Sequence, residues 1–390
     1  MKVPDNLLFS LFQEQDARIR KQLSDKTLEI ATGKKYTSVS DDPPTTYDLL
    51  ELKKDISQLS QYAKNRLFAD TSLSYVDFNL KKIEDSLNFL YAKTIQAKNQ
   101  VLQPDQLRAL GELFSSSLRS ILDRVNDQLG GNYIFGGASL NTKPFDENNL
   151  QYTASAESFK VWLSDNYQVE VFLEGGETFG LNAALSLATF ASPGVNFNTG
   201  GVMNLTVGTS TINLNYTTTQ TLQNVADFIN SNYPNLLQAK VVQNPDDTYS
   251  LLLMPIDLSK EIGVSDTSGG DFDAGPTDFY SPNVLQVVKR IGDKLSSGRY
   301  PEDADLLLLQ RALDRVAFRR SQVGSVLSQV KNLQPMHENL EDSLNKQKSD
   351  LEDVELSQSI MDYTRYKIAY EALMRIIAES KDMTILRYLR

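Results

Sequence analysis

Cysteine is absent from the 390 residues, and histidine occurs once, at His337. Without cysteine there are no disulfides, no thiolate zinc sites and no thiol nucleophile. A single histidine removes His-pair metal sites and makes most catalytic triads implausible. Long apolar runs are missing too. The N-terminal apolar stretch spans only Leu7 to Phe12, is broken by Ser10 and gives way to Gln13 and Glu14. It does not read as a secretory signal, and nothing approaches the roughly 20 apolar residues that cross a bilayer. The expectation is no membrane insertion, and either cytoplasmic residence or export with an uncleaved N-terminus. A basic stripe able to hold phosphates is also lacking, so nucleic-acid binding is not expected.

What is present is ordinary for a soluble chain, with 41% hydrophobic and 23% charged residues. The length suits two to three domains. The net charge of −11 is unevenly placed: Ala138 to Tyr280 holds 16 acidic and 4 basic residues, whereas the remainder holds 34 and 35. An acidic middle suits a solvated surface that resists association, and near-neutral ends suit packing on one another. Fifteen of the 20 glycines lie between Gly130 and Gly275. The chain therefore divides into helical flanks and a β-rich centre.

The first flank opens with Phe9, Phe12, Ile19, Leu23 and Ile30 at heptad spacing, interrupted by Asp16 and Lys26. A break is expected at Gly33, and Asp41-Asp42-Pro43 reads as a helix start, with a carboxylate free to cap. Leu73, Val76, Leu80, Ile83, Leu87, Leu90, Ala97 and Val101 continue a 3-4 alternation that Pro104 stops. A third helix follows, with Leu107, Leu110, Phe114, Ile121 and Val125 facing one way, before a glycine-rich crossover at Gly130–Gly137. In the centre, Glu157–Leu163 and Tyr167–Glu174 read as a hairpin. Val202–Tyr216 and Gln238–Pro255 read as strand pairs around a helix from Leu222 to Asn232. In the second flank, Leu306, Leu309, Leu313, Val316, Val323, Leu327 and Val330 form a stripe that only Arg320 interrupts, and Pro335 is expected to kink or break the helix. The last helix carries Ile360, Tyr363, Tyr370, Met374 and Ile377. The fold class expected is a multidomain α+β chain. Its N- and C-terminal helices pack as an antiparallel coiled-coil or bundle body, with an inserted β-rich domain.

Several of these segments resemble the flagellin and hook-associated protein family. They are Ala31-Thr32-Gly33-Lys34-Lys35-Tyr36 followed by Ser40-Asp41-Asp42-Pro43; Gly131-Asn132-Tyr133-Ile134-Phe135-Gly136-Gly137; Arg320 to Gly324, similar to a turn of the returning helix; Leu351-Glu352-Asp353-Val354-Glu355-Leu356; and Ile385-Leu386-Arg387-Tyr388-Leu389. Ile212-Asn213-Leu214 with Thr221 to Asn230 resembles that family's IN motif. The resemblance implies five regions. Residues 1–45 are a helix and loop of a polymer core, 46–137 half of a helical body, and 138–280 an outer β-rich domain with an IN-like motif at about 203–265. Residues 281–348 are the other half of the body, and 349–390 the second core helix. It implies a structural subunit of the bacterial flagellum, outside the cell, joining hook to filament through its terminal helices. A flagellin filament subunit is the alternative, and a surface adhesin or binding module the reading from another class. The implied partners are further copies of the chain, a neighbouring hook-associated protein, flagellin, and an export chaperone at the C-terminal region. The assembly interface falls on Phe9, Phe12, Ile19, Leu23, Ile30, Ile360, Tyr363, Tyr370, Met374 and Ile377.

No catalytic, cofactor or metal site is expected. Gly131-x4-Gly136 has P-loop spacing but is followed by Gly137 and Ala138 where Lys and Ser/Thr belong, so it reads as a flexible crossover. Asp266, Asp271 and Asp273 in a glycine-rich loop match no calcium loop and read first as a solvated turn. His337 reads as a solvated surface histidine, and Trp162 as core or sheet surface.

Overall fold

The computed structural model describes residues 5–36, 42–99, 101–181, 183–244, 246–257, 260, 262–273 and 279–388, with side chains from Ser10 to Glu379. Three helices open the chain: α1 (Asp5–Thr32), α2 (Pro43–Asn99) and α3 (Pro104–Val125). A small hairpin, β1 (Gln128–Leu129) and β2 (Asn132–Tyr133), precedes a larger one, β3 (Phe159–Ser164) and β4 (Tyr167–Phe172). Then come α4 (Gly175–Phe179), β5 (Ala184–Ser186), β6 (Gly201–Val207), β7 (Ser210–Tyr216) and α5 (Leu222–Asn232). The centre ends with β8 (Leu237–Gln243), β9 (Tyr249–Pro255), β10 (Ile262–Asp266) and β11 (Phe279–Tyr280). The chain closes with α6 (Val284–Ser296), α7 (Asp303–Glu352) and α8 (Leu356–Tyr388). Two compact units result, one from Asn65–Asn332 and one from Met1–Lys64 with Leu333–Arg390, so both divisions fall inside helices.

In the 65–332 unit, the alternation read from Leu73 to Ala97 becomes a dry seam. Leu73, Val76, Leu80, Ile83, Leu87, Leu90 and Ala97 are all buried, as are Leu309, Leu313, Val316, Val323 and Val330 of α7. Arg320, the interruption in that stripe, pairs with Asp77 and Glu84 of α2, both at 3.0 Å. The start of α7 is held by Asp305, wholly buried, which accepts from the Glu302 N–H and from Lys294 Nζ, each at 2.9 Å. One carboxylate thereby satisfies an orphan donor of the helix end and neutralises a buried lysine.

The centre is built on two sheets, ordered β10-β6-β7 and β11-β5-β9-β8, all antiparallel. The inward residues of β6 (Met203, Leu205, Val207) and β7 (Ile212, Leu214, Tyr216) share a core with Leu222, Val225 and Ile229 of α5 and Leu251 and Leu253 of β9. Thr221 caps α5 by accepting from Asn224 N at 3.2 Å.

Four expectations are corrected. Helix α7 runs unbroken through Pro335: only one backbone bond is lost there, and Lys331, Asn332 and Pro335 are exposed, so water can reach the freed carbonyl. Arg320–Gly324 likewise lies inside α7. Val101 falls outside α2, which stops at Asn99, and is 95% exposed. His337 is buried, because it stands seven residues after Val330 and fourteen after Val323 and so keeps to their side of α7. The Gly130–Gly137 crossover is packed: Ile134 and Phe135 are fully buried, and Gly137 N donates to Leu173 O at 3.0 Å. Trp162 lies half-exposed on the β3–β4 hairpin.

Helices α3 and α6 approach closely at Gly111, where an added Cβ would lie 2.7 Å from the Ser296 nitrogen. Gly324 of α7 has open space around it. Alanine favours a helix by about 1 kcal/mol over glycine, whereas overpacking costs about 1–3 kcal/mol. Gly111→Ala is therefore expected to lower the melting temperature by a few degrees and Gly324→Ala to raise it slightly. Differential scanning calorimetry of the two variants checks the opposite signs.

Candidate functional site

Helix α1 ends because Gly33 turns left-handed (φ +71°) and returns its N–H to Glu29 O at 2.8 Å, a conformation that disfavours side chains. The next residues meet the far end of the chain. Lys35 N donates to Glu352 O at 2.8 Å, and Val354 N donates to Gly33 O at 3.0 Å, forming a short antiparallel bridge of Lys34 with Asp353. Lys35 Nζ adds a bond to Asp350 O at 2.7 Å. The two segments singled out in the sequence thus clasp one another. Helix α2 starts at Pro43 with Asp42 as its cap: Asp42 Oδ2 accepts from the Thr45 hydroxyl at 2.7 Å, which holds the carboxyl below its ordinary pKa. Asp41 lies outside the described residues.

Glu352 is the electrostatic centre of the clasp. Its side chain is 7% exposed and faces Lys34 Nζ at 2.7 Å, Lys53 Nζ at 3.0 Å and Lys348 Nζ at 3.9 Å. The Lys34 hydrogen bond first, and that of Lys53 after it, hold the carboxyl below the usual glutamate range against a desolvation that would raise it. The three lysines keep partial contact with water, so the excess positive charge is tolerated.

Beyond the clasp, α8 folds back along α1. Ser359 Oγ donates to Glu29 Oε2 at 3.0 Å, and the Arg20 guanidinium lies 5.4 Å from the centre of the Tyr370 ring, the register of an antiparallel pair. Phe12, Ile19, Leu23 and Ile30 of α1 are half-buried, as are Tyr363, Tyr370, Met374 and Ile377 of α8. The Phe9 side chain lies outside the described residues. Ile360 does not join the stripe and is 47% exposed. The less exposed line of α8 is Ser359, Tyr363, Tyr366, Tyr370, Leu373 and Ile377, a 4-3-4-3-4 spacing. Ser359, Tyr366 and Leu373 were missed in sequence, although the spacing was there to find.

The pair is incompletely covered. Among the described side chains of α1 and α8 no hydrophobic one is buried. Met361, Ile368 and Ile376 are 51–62% exposed, the first two on the side of α8 opposite the packed line and Ile376 on its flank. In the centre, the acidic loop is closed on itself. Asp266 accepts from the Tyr216 and Ser268 hydroxyls, Asp271 from Asn198 N and Thr199 N, and Asp273 from Gly269 N. Among the described residues no group of three or more His, Cys, Asp or Glu could hold a metal ion, and no helix is long and apolar enough to cross a membrane.

The bacterial flagellin N-terminal helical region matches residues 6–139, and the bacterial flagellin C-terminal helical region matches residues 306–389, together more than half of the chain. The flagellar hook-associated protein 3 of Escherichia coli (strain K12) is 30% identical over 133 residues, covering 34% of this chain and 42% of that protein. The protein of the same name from Salmonella typhimurium is 28% identical over 131 residues, 33% of this chain and 41% of its own. These alignments span less than half the length of either relative. The crystal structure of flagellar hook-associated protein 3 from Legionella pneumophila shares the fold, with a TM-score of 0.52 at 17% identity over 77% of this chain and 98% of that one.

A carboxylate held below its unfolded pKa stabilises the fold fully above that unfolded value, near 4.3, and loses the contribution as pH falls through the folded value. Glu352→Gln is expected to destabilise the clasp by about 1–3 kcal/mol at pH 7. The gap in melting temperature between wild type and variant should narrow as pH drops below about 4.5. Thermal melts followed by circular dichroism between pH 3 and 7 check this.

Proposed function

This chain belongs to the bacterial flagellin family, and we propose that within it the chain is the structural subunit that joins hook to filament. The observation that carries this reading is the incomplete cover on its terminal helices. Two helices packed side by side meet along one line, and here both apolar stripes stay half-open to water while a second row on α8 stays bare. Such helices gain most of their stability from further packing, and each Ile or Met newly buried is worth about 1.5–3 kcal/mol. Helices of neighbouring copies complete the stripe of Phe9, Phe12, Ile19, Leu23 and Ile30 on α1 and of Tyr363, Tyr370, Met374 and Ile377 on α8, while Ile360, Met361, Ile368 and Ile376 face a second neighbour. The names of the curated relatives support the place at the hook. A neighbouring hook-associated protein and flagellin then take the two ends of the ring. An export chaperone covers the last helix before assembly, and the acidic centre faces outward, outside the cell. The role is structural and requires no cofactor.

Cells lacking the gene are expected to carry hooks without filaments and to shed flagellin into the medium. Supplying the wild-type gene should restore filaments, whereas Ile368→Asp with Ile376→Asp should not. Because both side chains are exposed in the monomer, the double variant should melt within about 2 °C of wild type. Filaments on the null cells, seen by electron microscopy, would refute the junction role, and full rescue by the double variant would refute the interface.

A further inference from the structure

The two sheets of the centre treat their edges differently. Strand β8, an edge of the four-stranded sheet, is covered at its middle. Asn230 of α5 donates to Ala239 O at 2.9 Å and accepts from Ala239 N at 2.8 Å, and Lys240 sits beside it. These are the devices by which proteins blunt an edge. Strand β7, an edge of the three-stranded sheet, has neither. It is seven residues long, has no proline or charge, and among the described backbone hydrogen bonds none beyond its ladder with β6 reaches it.

The register says which groups are open. Val207 and Ser210 close a two-residue turn that opens with the left-handed Gly208 (φ +57°). Alternation from that pair leaves Thr211, Asn213 and Asn215 as the members not bonded to β6, with their N–H and C=O groups turned to the free edge. All three residues are exposed. The strand also lies in an uncharged run of sequence: no Asp, Glu, Lys or Arg occurs in the 49 residues from Thr178 to Ala226, inside a region otherwise carrying 16 acidic and 4 basic residues.

We propose that β7 is a self-pairing edge, joining a second copy of this chain as an antiparallel β7–β7 ladder centred on Asn213. Around that centre Asn213 meets Asn213, Thr211 meets Asn215, and Ile212 meets Leu214, so polar groups face polar and apolar face apolar. The two three-stranded sheets become one of six. A second copy is the occupant because the strand is complementary to itself and carries no charge of its own that would meet its like across the pair. Such a contact is two-fold symmetric and cannot relate neighbours of one head-to-tail ring. It therefore joins unassembled subunits, or subunits of two separate assemblies, and stands independently of the junction role.

The absence of cysteine makes the test clean. Full-length protein carrying Asn213→Cys as its sole thiol should cross-link to dimer under mild oxidation at least tenfold faster than Asn204→Cys. Asn204 lies one strand inward on the same face, so its two copies would sit roughly 15 Å apart, beyond disulfide reach. Sedimentation of the wild type should show a concentration-dependent dimer that tightens with salt and is lost in Asn213→Lys, whose charges would meet on the two-fold axis. Thr211→Lys serves as the second variant should Asn213→Lys fail to fold by circular dichroism. Equal cross-linking at the two positions, a wild type monomeric at every concentration, or a dimer surviving the lysine variants would each overturn the proposal.

Discussion

Two segments some 315 residues apart, Gly33–Lys35 and Asp350–Val354, exchange two backbone hydrogen bonds and a lysine-to-carbonyl bond, and the terminal unit depends on that contact. It fixes where α1 stops, where α7 hands over to α8, and therefore which faces of α1 and α8 meet. Glycine at position 33 makes the reversal possible. Glu352 pulls Lys34, Lys53 and Lys348 onto one carboxylate, so the loop, α2 and α7 are tied at a single point. An isolated helix of this composition would be marginal in water. The clasp supplies the register that lets two such helices support each other while leaving apolar surface for a neighbour.

The 65–332 unit solves a different problem, holding long helices in register without a slip. A heptad seam of Leu, Ile and Val tolerates sliding by whole turns. Charged residues remove that freedom: Arg320 reaches two carboxylates of α2, and Lys294 with Asp305 ties α6 to the first turn of α7. Breaking either partner would strand the other, so these pairs specify alignment more than they add stability.

Elements with a local signal were legible in the sequence. The alternation of β6 and β7, the Thr221 box and the Asp42-Pro43 start each carry their own chemistry within a few residues. Ile360 is expected on the stripe of α8 with Tyr363, Tyr370, Met374 and Ile377, yet the 4-3 spacing of the packed line selects Ser359. His337 follows Pro335 and stands among Glu338 and Glu341, company that suggests a solvated side chain, yet the seven-residue step from Val330 carries it inward. Pro335 failed to break α7 because the bond it removes lies on a wet face. The clasp was legible only as two separate motifs. Which remote segments meet is decided by closure of the whole chain, and no short window contains it. The incomplete cover of α1 and α8 was likewise unreadable, since periodicity shows that a stripe exists and is silent on how much of it one partner covers.

That the two ends of the chain form one clasped body can be read from amide hydrogen exchange at Lys35 and Val354. Each of these N–H groups donates across the clasp, to Glu352 O and Gly33 O respectively. If the bridge opens as one event, both amides exchange slowly, with the same opening free energy, and both accelerate together in Glu352→Gln. Exchange of Lys35 at the rate of an unstructured peptide while Val354 stays protected would mean that the two ends are not clasped.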